Sequence, residues 1–532
     1  MTTVREAALE LFRAHGMTTI FGNPGSTELP MLGDLPPDFR YVLGLQEAVV
    51  VGMADGFAAA SGAPAHVNLH TAPGLGNAMG AIFNAQANKS PLVITAGQQV
   101  RAQITMQANL TNPDAIRVPH PFVKDAHEPA RAQDVPLALA RAIHQATLPP
   151  RGPAFVSVPM DDWAADVDPV AARAVIARAV GGRAVAAPAV VRALARRLEA
   201  ASNPVLVAGP DIDASGGWDA AVALAEKQRL LVWASPAPGG SRLGFPEGHP
   251  QFRGILPPAI GPAGQALEGH DLVLVAGSSV FPYYPYIPGP ALPEGAALVA
   301  ITSDPAEAAR APVGEAIVAD VALTLEALLA EVSESSRPLP EGVGEPPPVE
   351  DADPLPPSTV HATLAEVLPD DAIVVLESPS STLALRNRLR ISRPGSYFFC
   401  AAGGLGWGLP AAIGVQLARP DRPVVCVLGE GSAQYAVAGF WTAAAYRVPV
   451  TFLILRNDEY AILKWFATME QVTGAPGLDL PALETAAIAT AYGVRSAQVR
   501  QRDELREALS RALASPEPEL VEVRVAPGMA LA

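Results

Sequence analysis

VVCVLGEGSAQYAVAGFWTAAAYRVPVTFLILRNDEY, running from Val424 to Tyr460, decides how the rest of the chain is read. An apolar run, Val424 to Leu428, stops at Gly429-Glu430-Gly431-Ser432. A helical segment from Gln434 to Tyr446 follows, and a second apolar run, Val450 to Leu455, stops at Asn457. This is a strand–turn–helix–strand unit with a polar residue at the end of each strand. Neighbouring parallel strands put their C-terminal ends at one edge of the sheet, where open α/β folds bind ligands. Glu430 and Asn457 are therefore expected side by side. A carboxylate with an amide oxygen makes a hard, oxygen-only site suited to Mg2+ or Ca2+. Small residues around Glu430 let backbone N–H groups approach an anion at the following helix start. The unit asks for a metal carrying a phosphate.

The bulk numbers agree with a large soluble enzyme. A chain of 532 residues implies about three domains at ~150 residues each. Charged residues make up 17% and apolar residues 49%. The formal charge of −16, without a dense run of Lys and Arg, argues against nucleic acid as a partner. The two cysteines, Cys400 and Cys426, lie in apolar runs, so buried thiols are expected rather than disulfides or a metal site. The N-terminal MTTVREAALELF is amphipathic and charged, unlike a signal peptide. No long apolar stretch predicts a membrane span, and a cytoplasmic location is expected.

Upstream, strand and helix signals alternate. Glu6 to His15 has helical spacing, Thr19 to Phe21 reads as a strand ending in Gly22-Asn23-Pro24-Gly25-Ser26, and Tyr41 to Leu45 is a strand before Gln46-Glu47. A helix is expected over Ala48 to Ala60. Ala65 to Leu69 is a strand ending at His70, followed by a Gly-rich turn (Pro73 to Gly76) and a helix to Asn88. Pro91 to Gly97 and Pro153 to Pro159 are further strands. After a boundary near 166–187, a second block has strands at Pro204 to Gly209, Leu230 to Ala234, Asp271 to Gly277 and Ala297 to Thr302. Ser333 to Pro357, rich in Pro and acidic residues, reads as a linker. The alternation predicts an α/β protein of three doubly wound, parallel-sheet domains, divided at 1–180, 181–340 and 341–532.

Gly429-Glu430-Gly431 followed by Asn457 (457 − 430 = 27) resembles the diphosphate motif of thiamin-diphosphate (ThDP) enzymes, Gly-Asp-Gly followed just under thirty residues later by Asn. The likeness extends along the whole chain and in order. FGNPGSTELP (Phe21 to Pro30), NLHTAPGLGNAMGA (Asn68 to Ala81), PGSYFFCAAGGLGWGLPAAIGVQLA (Pro394 to Ala418) and KWFA (Lys464 to Ala467) are similar to the benzoylformate decarboxylase group within that family. The resemblance implies a pyrimidine-binding first domain, a central domain and a diphosphate-binding third domain. It implies ThDP and Mg2+ as cofactors and non-oxidative decarboxylation of an aromatic 2-oxo acid to an aldehyde. It also implies a homodimer-based homotetramer with sites between chains, acting on a small molecule, with no nucleic-acid or membrane partner. Some relatives hold FAD in the middle block, and no feature here requires it.

Carried over residue by residue, the resemblance makes Glu47 the carboxylate facing the aminopyrimidine; by itself it reads equally as a helix-start Glu favoured by the macrodipole. Ser26 would hold the substrate carboxylate and His70 would orient or protonate. Leu405 would prop the cofactor and the Gly403 carbonyl would accept from its amino group. Glu430, Asn457 and the carbonyl of Glu459 would hold the metal. Gly429, Gly431, Ser378, Ser432 and the run Tyr460, Ala461, Ile462 would meet the diphosphate. Phe398, Ile462 and Phe466 are candidates for an apolar substrate wall. Three departures stand out. Glu430 replaces Asp. The family's Asn-Asn-Gly-Thr becomes Arg456-Asn457-Asp458-Glu459. In the frame PYYPYIPGP (Pro282 to Pro290), Tyr284 stands where the family has a second active-site histidine. A tyrosine titrating near pH 10 donates mainly a hydrogen bond, which keeps carboligation to 2-hydroxy ketones open as an alternative outcome, and a non-catalytic ThDP-fold protein as a further one.

Overall fold

The computed structural model describes residues 2–531 apart from 237–240, 282–283, 341–343 and 345. Three six-stranded sheets carry the chain, and every neighbouring pair of strands within them is parallel. The first sheet is ordered Arg40–Leu43, Thr19–Gly22, Ala65–Leu69, Leu92–Gln98, Ala154–Pro159, Asp125–His127. The third is ordered Tyr397–Phe399, Ile373–Glu377, Val424–Gly429, Val450–Arg456, Glu519–Arg524, Arg495–Val499. Both follow the order second, first, third, fourth, sixth, fifth. The middle sheet runs third, second, first, fourth, fifth, sixth, from Phe252–Ile255 to Glu315–Val318.

Parallel strands are covered on both faces and so read as continuous apolar runs; Val424–Gly429 and Val450–Arg456 are buried along almost their whole length. In both outer sheets the strand order reverses between the first and third strands. The crevice outside that reversal is where such folds bind ligands. In the first sheet it lies beyond Gly22 and Leu69, which precede Asn23 and His70; in the third it lies beyond Glu377 and Gly429.

One apolar cluster runs through the first and third sheets and joins them. Its centre is the crossing of helix Glu47–Ser61 with helix Gly408–Ala418. Glycines let the two backbones touch. A Cβ at Gly56 would overlap the Ala411 carbonyl, one at Gly414 would overlap the Met53 carbonyl, and one at Gly52 would come within 2.7 Å of Pro410.

Two local expectations fail. The segment expected as one helix over 434–446 is two, Glu430–Gln434 and Gly439–Ala445. Gly439 packs where any Cβ would overlap the Leu409 side chain, so the chain bends to reach that helix. The turn expected at Pro73 to Gly76 lies inside helix Thr71–Ala87. Proline is tolerated in a first helical turn because its missing N–H needs no partner there. Gly74 is needed because a Cβ there would stand 3.2 Å from His70 and 3.4 Å from Glu47. The segment near 166–187 also carries structure: Asp166–Val167 pairs antiparallel with Thr2–Thr3, and a helix spans Pro169–Ile176. Both cysteines are buried and free. Among the described residues, no helix is long and apolar enough to cross a membrane.

Replacing Gly414 by Ala should push the crossing helices apart and cost about 1–3 kcal/mol, the usual range for overpacking a filled interior. Urea unfolding checks this; a midpoint equal to that of the unaltered protein would show that the crossing can relax without loss.

Candidate active site

The third sheet builds one half of the site. Val424–Gly429 is in register with Val450–Arg456 up to the Gly429–Leu455 pair, so Glu430 and Asn457 leave neighbouring strands together. The Asn457 N–H donates to Glu430 Oε1 at 3.1 Å. Ser378, Leu405, Gly429, Glu430, Gly431, Ser432, Asn457, Glu459, Tyr460, Ala461 and Ile462 line one cleft, together with Ser380 and Ser381. Gly431 must be glycine, because a Cβ there would lie 2.7 Å from the Tyr460 ring. Asp458 takes the left-handed conformation, φ 59°, one that favours glycine but is open to Asp. Its carboxylate accepts from Arg456 Nε at 2.8 Å.

The donor set fits a hard cation bridging to phosphate. Among the described residues no cationic side chain pairs with Glu430. Burial pushes its carboxyl up to about 7, against the opposing pull of backbone N–H groups. Among the described residues no three His, Cys, Asp or Glu side chains gather as a metal cage. That is the situation Mg2+ tolerates, since it commonly takes one or two protein oxygens and completes its shell with phosphate and water. Glu430, the Asn457 amide oxygen and the Glu459 carbonyl would hold it. The serine hydroxyls and the N–H groups opening Glu430–Gln434 would face the phosphates.

The first sheet builds the other half at its own reversal point. Glu47 opens helix Glu47–Ser61, capped by the Gln46 side chain. Its two oxygens accept from Asn23 Nδ2 and Asn77 Nδ2, each at 3.1 Å. His70 Nδ1 lies 2.8 Å from the buried Glu28 carboxylate. A carboxylate accepts, so Nδ1 carries the hydrogen and Nε2 is left for a substrate. Glu28 is held by the N–H groups of Gly25 (2.8 Å) and Gly97 (2.9 Å) and by the Thr27 hydroxyl (2.7 Å). Gly25 must be glycine, since a Cβ would overlap the His70 ring, and Ser26 next to it is exposed. None of Ser26, Glu47 or His70 lines the cleft of the third sheet.

The remaining candidates separate. Gly403 is exposed with φ 70°, two residues before Leu405. Tyr284 is 61% exposed and its ring lies 5.1 Å from that of Phe466; Pro282 and Tyr283, which framed it, lie outside the described residues. Phe398 is a correction. It is 1% exposed, belongs to the joining core, and carries the Arg242 guanidinium 4.9 Å over its ring, so no substrate reaches it. The resemblance implied a pocket wall here, but alternate residues of this strand face core on both sides.

Asn23, Asn77, Glu28, Glu377 and Asp55 were not singled out by the sequence. Glu28 and Asn23 lie in the FGNPGSTELP stretch, which could have flagged them. Glu377 ends strand Ile373–Glu377 just before Ser378. Burial pushes its carboxyl up to about 7 against three backbone N–H donors, those of Gly408, Gly406 and Trp407.

Three family models match the chain: the N-terminal TPP-binding domain of thiamine pyrophosphate enzymes over residues 2–117, their central domain over 191–328 and their C-terminal TPP-binding domain over 380–523. The chain belongs to the thiamine pyrophosphate enzyme family. A family member, benzoylformate decarboxylase of Pseudomonas aeruginosa, is 54% identical over 528 residues, covering 98% of this chain and 99% of its own. Among solved family structures, the ThDP-dependent 4-hydroxybenzoylformate decarboxylase of Rhodococcus jostii RHA1 superposes with a TM-score of 0.97 at 47% identity, with both chains fully covered. Benzoylformate decarboxylase from Polynucleobacter necessarius gives 0.96 at 41%, again over all of both chains.

Glu377 gives a pH signature. Its ordinary value is 4.5 and its folded value about 7, so over that window the folded chain holds a proton that the unfolded chain has lost. Its contribution to stability is full below 4.5 and fades as pH rises through 7. Between about pH 5 and about pH 8, wild-type stability should fall relative to that of Glu377→Gln in parallel urea titrations. A pH-independent difference would show that Glu377 does not titrate in this range.

Proposed function

We propose that the protein decarboxylates an aromatic 2-oxo acid of the benzoylformate type, releasing an aldehyde and CO2, with ThDP and Mg2+. The observation that carries this reading is the matched pair of constellations. Glu47 with its two amide donors stands at the reversal point of the first sheet, and Glu430 with Asn457 stands at the same point of the third. When bound, ThDP supplies the nucleophilic carbon and the electron sink that the protein's own side chains lack. Glu47 would face the aminopyrimidine and hold or move a proton there. The exposed Ser26 hydroxyl would hold the substrate carboxylate, and His70, held by Glu28 through Nδ1, would present Nε2 to the substrate. Leu405 would prop the cofactor, and the Gly403 carbonyl would accept from its amino group. Tyr284, Phe466 and Ile462 shield the reacting centre, and excluding water there favours loss of CO2 from a charged substrate.

We infer, as the family resemblance implies, that each complete site takes its Glu47 from one copy and its Glu430 from another, in a homodimer paired into a homotetramer, and that the protein is cytoplasmic. The division at 1–180, 181–340 and 341–532 belongs to the same reading.

Purified protein given benzoylformate should release benzaldehyde only when ThDP and Mg2+ are both present. Accumulation of a 2-hydroxy ketone in place of aldehyde would move the assignment to carboligation, and no turnover by cofactor-loaded protein would remove it. Glu47→Gln should lower kcat by about 100-fold or more, the scale of lost general acid–base catalysis, with an unfolding midpoint close to the original. Undiminished turnover in that variant would refute the role of Glu47.

A further inference from the structure

The segment carrying Gly403 and Leu405 is tied down from both domains. It follows strand Tyr397–Phe399 and precedes helix Gly408–Ala418. On the side of its own domain, Glu377 gathers three consecutive backbone N–H groups: Gly406 (2.6 Å) and Trp407 (3.3 Å) on Oε1, and Gly408 (2.7 Å) on Oε2. Gly408 is forced, because a Cβ there would lie 2.7 Å from that of Glu377. On the other side stands Asp55, which lies eight residues after Glu47 (55 − 47 = 8) on the same helix and is fully buried. Its Oδ2 accepts from Trp407 Nε1 at 2.7 Å and from Asn88 Nδ2 at 2.8 Å, and its Oδ1 accepts from the Ser90 hydroxyl. Asn88 passes the restraint on, since its Oδ1 accepts from the Ala401 N–H at 2.9 Å. Asn84 Nδ2 donates to the Gly404 carbonyl at 3.0 Å. Between these ties, Gly403 and Gly406 bend the chain through left-handed conformations, φ 70° and 91°. Gly403 is left exposed, and Leu405 reaches the cleft of Glu430.

We propose that Glu377 and Asp55 are positioning residues, two buried carboxylates, one from each cofactor-binding domain, that hold segment 403–405 in the geometry the cofactor needs. This inference rests on the ThDP reading above. Neither carboxylate has a Lys or Arg partner among the described residues, so both are buried at a desolvation cost that only their hydrogen bonds offset. Consistently, burial pushes Asp55 up to about 6. Neutral helix caps avoid that cost, whereas a carboxylate accepts from several N–H donors at once and rotates to none.

The donors differ in kind, and that separates the two residues experimentally. All three donors on Glu377 are backbone N–H groups, which cannot turn into acceptors. Glu377→Gln must therefore aim its own NH2 at one of them. Asp55→Asn can turn its NH2 to the Ser90 oxygen and keep its carbonyl oxygen on Trp407 and Asn88, so it serves as the conservative control. Trp407→Phe removes only the indole donor and keeps an aromatic ring in place.

The test uses the full-length protein with three readouts: amide hydrogen exchange over 401–408 without cofactor, ThDP affinity from tryptophan fluorescence, and kcat and KM for benzoylformate. Glu377→Gln should speed exchange selectively over 401–408, weaken ThDP binding, and lower kcat by roughly 10- to 100-fold with KM changed less than about threefold, as loss of alignment without loss of substrate contacts requires. Trp407→Phe should do the same more weakly, Asp55→Ala should do so in full, and Asp55→Asn should restore most of what Asp55→Ala loses. If Glu377→Gln does not fold, Trp407→Phe decides alone. Unchanged exchange over 401–408 with unchanged kcat, or exchange raised evenly along the chain, would overturn the proposal. Failure of the ThDP reading is distinct: the unaltered protein would then bind no ThDP at all, while the exchange pattern would still report on the clamp.

Discussion

Backbone meets backbone where helix Glu47–Ser61 crosses helix Gly408–Ala418, and much of the structure depends on that contact. Gly52, Gly56 and Gly414 remove the side chains that would hold the helices apart. Closeness of this kind is rigid, because a carbonyl cannot rotate aside as a flexible side chain can. It sets the distance between the first and third sheets, and the apolar cluster that spans both fills in around it. Glu47 opens one of the crossing helices, and Trp407 immediately precedes the other. A change at the crossing is therefore felt at both cofactor-facing ends without any direct contact between them.

The two outer sheets share one strand order and put their functional groups at the same topological place. That symmetry explains the division of labour. One reversal point presents a carboxylate steadied by two amide donors, suited to a neutral heterocycle. The other presents a carboxylate beside an amide and several serines, suited to a cation and phosphates. The middle sheet has a different order, and its reversal point is filled from the first sheet's side. Lys89 ion-pairs there with Asp211 at 2.6 Å and Glu307 at 3.0 Å. That largely buried triad ties the middle domain to the first.

Most of the fold was legible because fully covered parallel strands must be apolar throughout, and such runs stand out between glycines and prolines. The Glu430–Asn457 neighbourhood was legible for the same reason: two adjacent strands with a polar residue at each end leave little choice of register. The rest depended on distance in sequence. Asp55 meets Trp407 across 352 residues, and Asn84 meets Gly404 across 320; no periodicity encodes such pairs. Glu377 looked like an ordinary strand end, since its three donors come from a loop some thirty residues on. Phe398 misled because the resemblance implied a pocket wall there, whereas strand Tyr397–Phe399 is buried on both faces.

The charged run Arg456-Asn457-Asp458-Glu459 looked set to alter the field at the metal site, and the structure shows why it need not. Arg456 turns to Asp458 at 2.8 Å and to Glu484 and Glu522 at 3.5 Å. Glu459 is bound by Lys464 and accepts from the Gly528 N–H at 2.7 Å. The new charges are largely answered at short range, where Coulomb interactions are strongest, by one another and by Lys464, and Asp458 alone still bears on Glu430. Among the described residues, Glu430 is left as a buried carboxylate without a cationic side chain to answer it. The added methylene of Glu430 is then a change that a bound cation would have to meet. The charge balance of the site still asks for a divalent ion in the place where the rest of the family binds one.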